Sequence, residues 1–310
     1  MNILVTGGAG SIGSETVRRL IPLGHHVRVM DINEEGLWLL GTELPHVDCL
    51  LGDVQFEDDL TAGLRGMDAV IHCAAYKHVH LCERNHVACM RVNVEAVRLL
   101  MEHRGDRRIV FVSTDKAVGP HSWMGRSKRM AEAVVLAGRG NVVRFGNVLG
   151  SRGSLVPAVI RYRDLGKPIP LTDGRMTRFF MGIDEAVTLI LEALALADAG
   201  RVLASRTLRS ARLIDFLEVC RDLLYPGAEI VTVGPRPGER MHEMIDVDGK
   251  RIRSDEPEYL MKRSEIGDFL RDGLKLSAAQ DTGGVIFPSE IAKQEFVGNL
   301  LRTVESLSKR

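Results

Sequence analysis

The 310-residue sequence carries no net charge, because Lys plus Arg and Asp plus Glu both total 41. That balance excludes partners gathered by bulk charge, such as nucleic acid or an anionic membrane surface, and leaves open local basic patches for small phosphorylated ligands. Cysteine is sparse. The five (Cys49, Cys73, Cys82, Cys89, Cys220) are odd in number and contain no C-x-x-C pair. They exclude a disulfide framework and read as reduced thiols of an intracellular protein. The chain opens on a β-rich run, without a basic region followed by an apolar one, so no secretory leader is expected. The longest apolar stretch, around Ala186 to Ala197, is too short and interrupted to span a bilayer. Internal repeats and low-complexity tracts are missing. What remains is a cytoplasmic, soluble enzyme-like composition, 45% hydrophobic and 26% charged, long enough for one large α/β unit or two joined domains.

Short β-rich runs alternate with helix-period stretches through the first half. The expected strands are Asn2–Thr6, His26–Asp31, Asp48–Leu51, Ala69–Cys73, Arg108–Ser113 and Val142–Phe145, with helical patterns such as Glu15–Ile21 and Val94–Met101 between them. That alternation implies right-handed βαβ units and an α/β fold built on a doubly wound parallel sheet. After Gly150, prolines at 157, 168, 170, 226, 235 and 237 punctuate shorter elements, the mark of a smaller capping domain. A helix over roughly Asp184 to Ala197 and the run Arg201–Ala204 are expected to return to the large sheet. Residues 1–150 with 180–206 then form the large domain, and 151–179 with 207–310 the smaller C-terminal one. The tail from Gly283 to Arg310 reads as a helical surface element with a basic finish.

Directly after the first expected strand, Gly7, Gly10 and Gly13 fall at i, i+3 and i+6, where a helix begins. Glycine permits a tight turn and close backbone approach, and a helix N-terminus offers N–H groups to a pyrophosphate. The turn, Gly7, Gly10, Ser11, Ile12 and Gly13, therefore points to a Rossmann dinucleotide site. Asp31 closes the second strand, 18 residues beyond Gly13. A carboxylate there accepts hydrogen bonds from ribose hydroxyls and repels a 2′-phosphate, favouring NAD over NADP. Asp53 ends the third strand, placed to touch adenine; a helix N-cap is its other reading. Val54, Ala74 and Ala75 complete the expected cofactor contacts.

After the fifth strand come Val112-Ser113-Thr114-Asp115-Lys116-Ala117 and Met124-Gly125-Arg126-Ser127-Lys128. With the glycine turn, these resemble the extended short-chain dehydrogenases, in which a Ser or Thr at that strand end precedes a Tyr-x-x-x-Lys pair. Lys128 falls on the lysine, and Met124 replaces the tyrosine. Ala75-Tyr76-Lys77-His78-Val79, Arg144 to Ser154, Met176 to Met181 and Arg236-Pro237-Gly238-Glu239 add to the likeness. Together they resemble the nucleotide-sugar 4,6-dehydratases of bacterial polysaccharide biosynthesis, most closely the inverting UDP-N-acetylglucosamine 4,6-dehydratases with methionine for tyrosine. Ala96, after Asn93-Val94-Glu95, departs from the glycine usual there.

The resemblance implies a 4-keto-6-deoxy sugar nucleotide as product. The sugar is oxidised at C4, water is eliminated across C5 and C6, and the hydride returns to C6. Asp115 is then the acid at C6 and Lys116 the base at C5, with burial, Lys128 and the nicotinamide charge expected to lower the Lys116 pKa. A thioether cannot carry a proton, so Asp115 helped by Thr114 is expected to accept the C4 hydroxyl proton. Lys128 is expected to hold the nicotinamide ribose. The UDP-sugar substrate is assigned to Lys77, Asn147, Arg152, Arg178 and Arg236, with Glu239 on the uridine ribose, since arginine's planar fork matches phosphate oxygens. Kinship also implies a homo-oligomer. Two other readings stay open: an NAD-dependent UDP-sugar epimerase or other-position dehydratase, and a non-catalytic nucleotide-binding sensor encouraged by the missing tyrosine. The cluster His78, His80, Cys82, His86 and Cys89 matches no structural zinc spacing, so no metal site is expected.

Overall fold

The computed structural model describes residues 1–196 and 199–274, so the expected helical tail from Gly283 lies outside the described residues. The strands are β1 (Asn2–Thr6), β2 (His26–Asp31), β3 (Asp48–Leu51), β4 (Ala69–His72), β5 (Arg108–Thr114), β6 (Asn141–Phe145), β7 (Asn147–Val148), β8 (Ile169–Leu171), β9 (Thr177–Met181), β10 (Val202–Ala204), β11 (Arg209–Arg212), β12 (Ile230–Thr232), β13 (Met244–Val247) and β14 (Lys250–Arg253). Helices between them are α1 (Ser11–Leu20), α2 (Glu34–Glu43), α3 (Glu57–Leu64), α4 (Val79–Arg84), α5 (His86–Met90), α6 (Ala96–Glu102), α7 (Trp123–Ala137), α8 (Leu155–Asp164), α9 (Ile183–Ala195), α10 (Leu213–Leu224) and α11 (Arg263–Gly273).

Seven strands form one parallel sheet in the order β10-β6-β5-β4-β1-β2-β3. Every residue of β4 and β6 is buried, as expected of strands covered by helices on both faces. Edge strand β3 alternates instead between half-buried and exposed residues. Strand order reverses between β1 and β4, and the crevice beyond their C-terminal ends is where doubly wound sheets hold ligands. α1 and α9 pack one face around Val5, Val17, Val29 and Ile190. α6 and α7 cover the other around Phe111, Leu100 and Val135.

A separate core gathers α8, α10 and α11, with Phe216 stacked on Phe180 of β9 at 3.9 Å between ring centres. Burying one such ring is worth about 2–3 kcal/mol over leaving it in water. The small sheets are β11-β9-β7, β12-β8 and the hairpin β13-β14. The hairpin turns on Asp248 and Gly249, both at positive φ, as a two-residue primed turn requires. Among the described residues, no helix is long and apolar enough to cross a membrane.

Candidate active site

The turn after β1 is packed backbone against backbone. Gly7 has φ +65°, and a Cβ there would stand 2.6 Å from the Ala74 amide nitrogen. A Cβ on Gly13 would fall 2.4 Å from the Gly7 carbonyl oxygen. Gly10 caps α1 with no side-chain acceptor, and the first turn of α1 carries no acidic residue. Its leading N–H groups therefore have no side-chain acceptor from the cap and sit at the positive end of the helix dipole. The Asp31 carboxylate is aimed by two amides, accepting from Ala9 N and Asn33 N, each at 3.0 Å. Asp53 accepts from Gln55 N at 2.9 Å and Gln55 Nε2 at 3.0 Å, while Phe56 caps α3, so Asp53 closes a turn rather than the helix.

At the end of β5, Thr114 Oγ1 donates to Asp115 Oδ1 at 2.8 Å, and Lys116 Nζ reaches the same oxygen at 3.0 Å. Lys116 Nζ also lies 3.4 Å from Asn147 Oδ1 and 3.5 Å from Glu243 Oε1. Burial drives the Lys116 pKa down, but Asp115 and Glu243 outweigh it, and the net shift is upward. This corrects the expectation that its surroundings lower it. Lys128 points elsewhere, and two carboxylates face the ammonium. Asp115 is fully buried, and its pKa is raised by burial and by Glu243 against the pull of Lys116. Glu243 had no signal in the sequence, since its partners come from distant strands.

Ser122 caps α7 by accepting from Gly125 N at 3.0 Å. Gly125 lies against the Lys116 carbonyl, where a Cβ would come within 2.3 Å, so the helix start is seated directly on the Asp115–Ala117 turn. One turn apart on α7 come Met124, buried against Cys82 and Cys89, and Lys128. Lys128 Nζ donates to the Val112 carbonyl at 2.7 Å and stands 4.4 Å from the centre of the Phe111 ring. Burial lowers its pKa to about 8. Asn93, in the π-helical stretch Arg91–Glu95, accepts from Tyr76 N at 2.8 Å and donates to Ser127 Oγ at 2.9 Å. It ties the loop after β4 to α7.

The substrate-assigned residues divide into three groups. Arg178 donates to the Thr177 and Met241 carbonyls at 2.8 and 3.2 Å, and stands 3.8 Å from Glu243 Oε1. Glu239 Oε2 accepts from Arg236 N at 2.9 Å. Arg152, by contrast, lies on the glycine turn: its guanidinium donates to the Ala9 carbonyl, and its amide to Ser11 Oγ at 2.9 Å. Lys77 Nζ donates to the Arg152 carbonyl, and burial with that guanidinium holds Lys77 below the usual lysine range. The structure thus sets Arg152 and Lys77 beside the glycine turn, Asn147 and Arg178 around Lys116 and Glu243, and Arg236 with Glu239 on one cavity-lining segment. One cavity of about 810 Å³ is lined by every residue assigned above to cofactor, catalysis or substrate except Asp115. Asp115 reaches it only through Thr114 and Lys116.

The His and Cys cluster is dispersed. Cys82 and Cys89 are buried beside Met124, and His86 stacks on Trp123 at 5.1 Å. Among the described residues, no three His, Cys, Asp or Glu side chains gather as metal ligands.

Sheet order, glycine turn and the Lys on α7 define the extended short-chain dehydrogenase fold. Over residues 3–264 the chain matches the polysaccharide biosynthesis protein family, and it belongs to that family. It is 40% identical over 268 residues to the uncharacterized membrane protein MJ1061 of Methanocaldococcus jannaschii, covering 79% of this chain and 80% of that one. It is 30% identical over 261 residues to an inverting UDP-N-acetylglucosamine 4,6-dehydratase of Campylobacter jejuni, covering 79% and 77%. A UDP-glucose 4-epimerase of Rickettsia massiliae is 29% identical over 90% of this chain and 85% of its own. Among solved structures, the dTDP-glucose 4,6-dehydratase DesIV of Streptomyces venezuelae, with NAD and TYD bound, superposes with a TM-score of 0.72. That structure is 26% identical and covers 78% of this chain and 87% of its own.

Proposed function

We propose that this protein is an NAD-dependent nucleotide-sugar 4,6-dehydratase acting on UDP-N-acetylglucosamine. The observation that carries the reading is the Thr114–Asp115–Lys116 corner opening, through Thr114 and Lys116, onto the same cavity as the glycine turn. The cradle fits NAD: side chains at Gly7 and Gly13 would collide with backbone, the α1 terminus lacks a competing acid, and Asp31 disfavours a 2′-phosphate. Bound there, NAD supplies the acceptor for the C4 hydride and the donor that returns it to C6.

The chain's own residues manage the protons. Thr114 receives the C4 hydroxyl proton and relays it to Asp115, whose raised pKa and unpartnered buried Oδ2 suit it to hold a proton. Asp115 returns that proton through Thr114 to the departing C6 oxygen. Lys116, its own proton first passed to solvent, takes the C5 proton and gives one back to C5 once the hydride has reached C6, and Asn147 orients it. Lys128 holds the nicotinamide ribose with its charge close by. Arg178 and Arg236 take the diphosphate and Glu239 the uridine ribose, while Arg152 and Lys77 close over the cofactor turn. In this reading residues 1–150 with 180–206 form the cofactor domain, and 151–179 with the chain from 207 the substrate domain.

The likeness to a UDP-glucose 4-epimerase supports a second reading, C4 inversion without elimination. Incubating the protein with UDP-N-acetylglucosamine and following the sugar by mass spectrometry separates the two. Loss of one water with a 4-keto product is expected. Conversion at unchanged mass favours the epimerase, and no conversion of this or related UDP-sugars refutes both.

A further inference from the structure

Beneath the catalytic corner lies a second buried carboxylate that touches neither the cavity nor the cofactor turn. The Glu243 side chain is 3% exposed, with Oε1 3.5 Å from Lys116 Nζ and 3.8 Å from Arg178 Nε. Its Oε2 has no hydrogen-bond partner among the described residues. The backbone around it is fixed: Glu243 N donates to Ser254 Oγ at 2.9 Å, and Ser254 Oγ lies 2.6 Å from Thr177 Oγ1. The residues just before it carry Arg236 and Glu239 on the cavity wall, and Arg240 donates to the carbonyls of Val118 and Gly119, next to the catalytic turn. Burying a half-satisfied carboxylate is costly, and an apolar side chain of similar volume would be easier to accommodate.

We propose that Glu243 is a positioning residue for Lys116, fixing its ammonium between two carboxylates and tying its placement to the seating of segment 236–243. The proposal rests on reading Lys116 as the C5 base. The charged groups facing that ammonium are Asp115 from its own turn, Glu243 from the segment and Arg178 from β9. Without the Glu243 charge, burial and Arg178 are opposed by Asp115 alone, and Lys116 gives up its proton more readily. An opposite charge within about 4–6 Å commonly moves a pKa by about one unit or more.

The test needs no substrate at first. Acetic anhydride acylates only the neutral amine, so the Lys116 acylation rate at a fixed alkaline pH, read by peptide mass spectrometry against exposed Lys167, follows its free-amine fraction. Glu243→Gln is expected to raise the Lys116 rate about tenfold, one pKa unit. Glu243→Asp, which keeps the charge but draws it back by a methylene, is expected to give a smaller rise and carries the test if the Gln variant does not fold. Unchanged rates in the folded variants overturn the proposal. The second arm is the pH–rate profile on UDP-N-acetylglucosamine, where the acid limb of Glu243→Gln is expected at lower pH, with kcat changing more than KM. Faster acylation with an unmoved acid limb overturns the link to catalysis. If wild-type protein releases no water from the sugar, the dehydratase reading falls, and the acylation rates still decide the role of Glu243.

Discussion

Replacing Lys128 by Met should change how stability depends on pH in protein freed of nucleotide. Lys128 is 5% exposed, and burial brings its pKa to about 8, against about 10.4 in an unfolded chain. The nearby Glu132 carboxylate does little to oppose this, being already held by Arg144 at 2.8 Å and Ser113 at 2.7 Å. The folded state loses the Lys128 proton near pH 8, and the unfolded state keeps it until about pH 10.4. Between those limits the unfolded state binds more protons, so stability rises with pH through that window. At 1.36 kcal/mol per unit, wild type should gain about 3 kcal/mol relative to Lys128→Met from below pH 8 to above pH 10. For a chain of this size that is a relative Tm rise of roughly 5 °C. Thermal melts of both proteins across the window measure it. Parallel Tm curves would refute the claim that this lysine is buried as a charged group without a free counter-ion.

Three further outcomes follow from the site. Gly13→Ala sets a Cβ 2.4 Å from the rigid Gly7 carbonyl, so NAD affinity measured by calorimetry should fall at least about tenfold, and affinity within a factor of about two of wild type counts against the cradle. Asp31→Asn removes the charge that repels a 2′-phosphate, and the NAD-to-NADP affinity ratio should drop by about tenfold; an unchanged ratio removes Asp31 from cofactor selection. Asp115→Asn should slow the appearance of reduced nicotinamide absorbance in a single turnover by about 100-fold or more, whereas an unchanged oxidation half-reaction sinks the Thr114–Asp115 relay.

The large sheet was legible because its strands are nearly continuous apolar runs between helical periods, as in Ala69–His72 and Arg108–Thr114. The return of α9 and β10 could be read from the apolar run before Gly200. β7, two residues long, and β11, Arg-Ser-Ala-Arg, carry no period of their own, and tertiary pairing with β9 makes them strands. The glycine turn was readable because glycine spacing records a backbone constraint. The state of Lys116 was not, because it depends on Glu243, brought in by β13 and anchored by Ser254 at the end of β14. Asn93 was likewise silent: its four side-chain hydrogen-bond contacts join three separate segments, and no local pattern announces them.

Met124 bears most directly on whether the corner is complete. A tyrosine at that position would exchange a proton itself; a thioether packed against Cys82 and Cys89 cannot. In the proposed reaction the proton from C4 goes elsewhere, and Thr114 offers a hydroxyl on the cavity wall joined to a buried carboxylate at 2.8 Å. In the proposed dehydration the same carboxylate later protonates the C6 oxygen, so one proton serves both of these steps. The electrostatics favour this arrangement. Burial and Glu243 push the Asp115 pKa up, which eases proton uptake, while Lys116 beside it keeps the ionised form accessible. An acid with those two opposing influences can be ionised when oxidation begins and protonated when water leaves, which is what a site without the tyrosine requires.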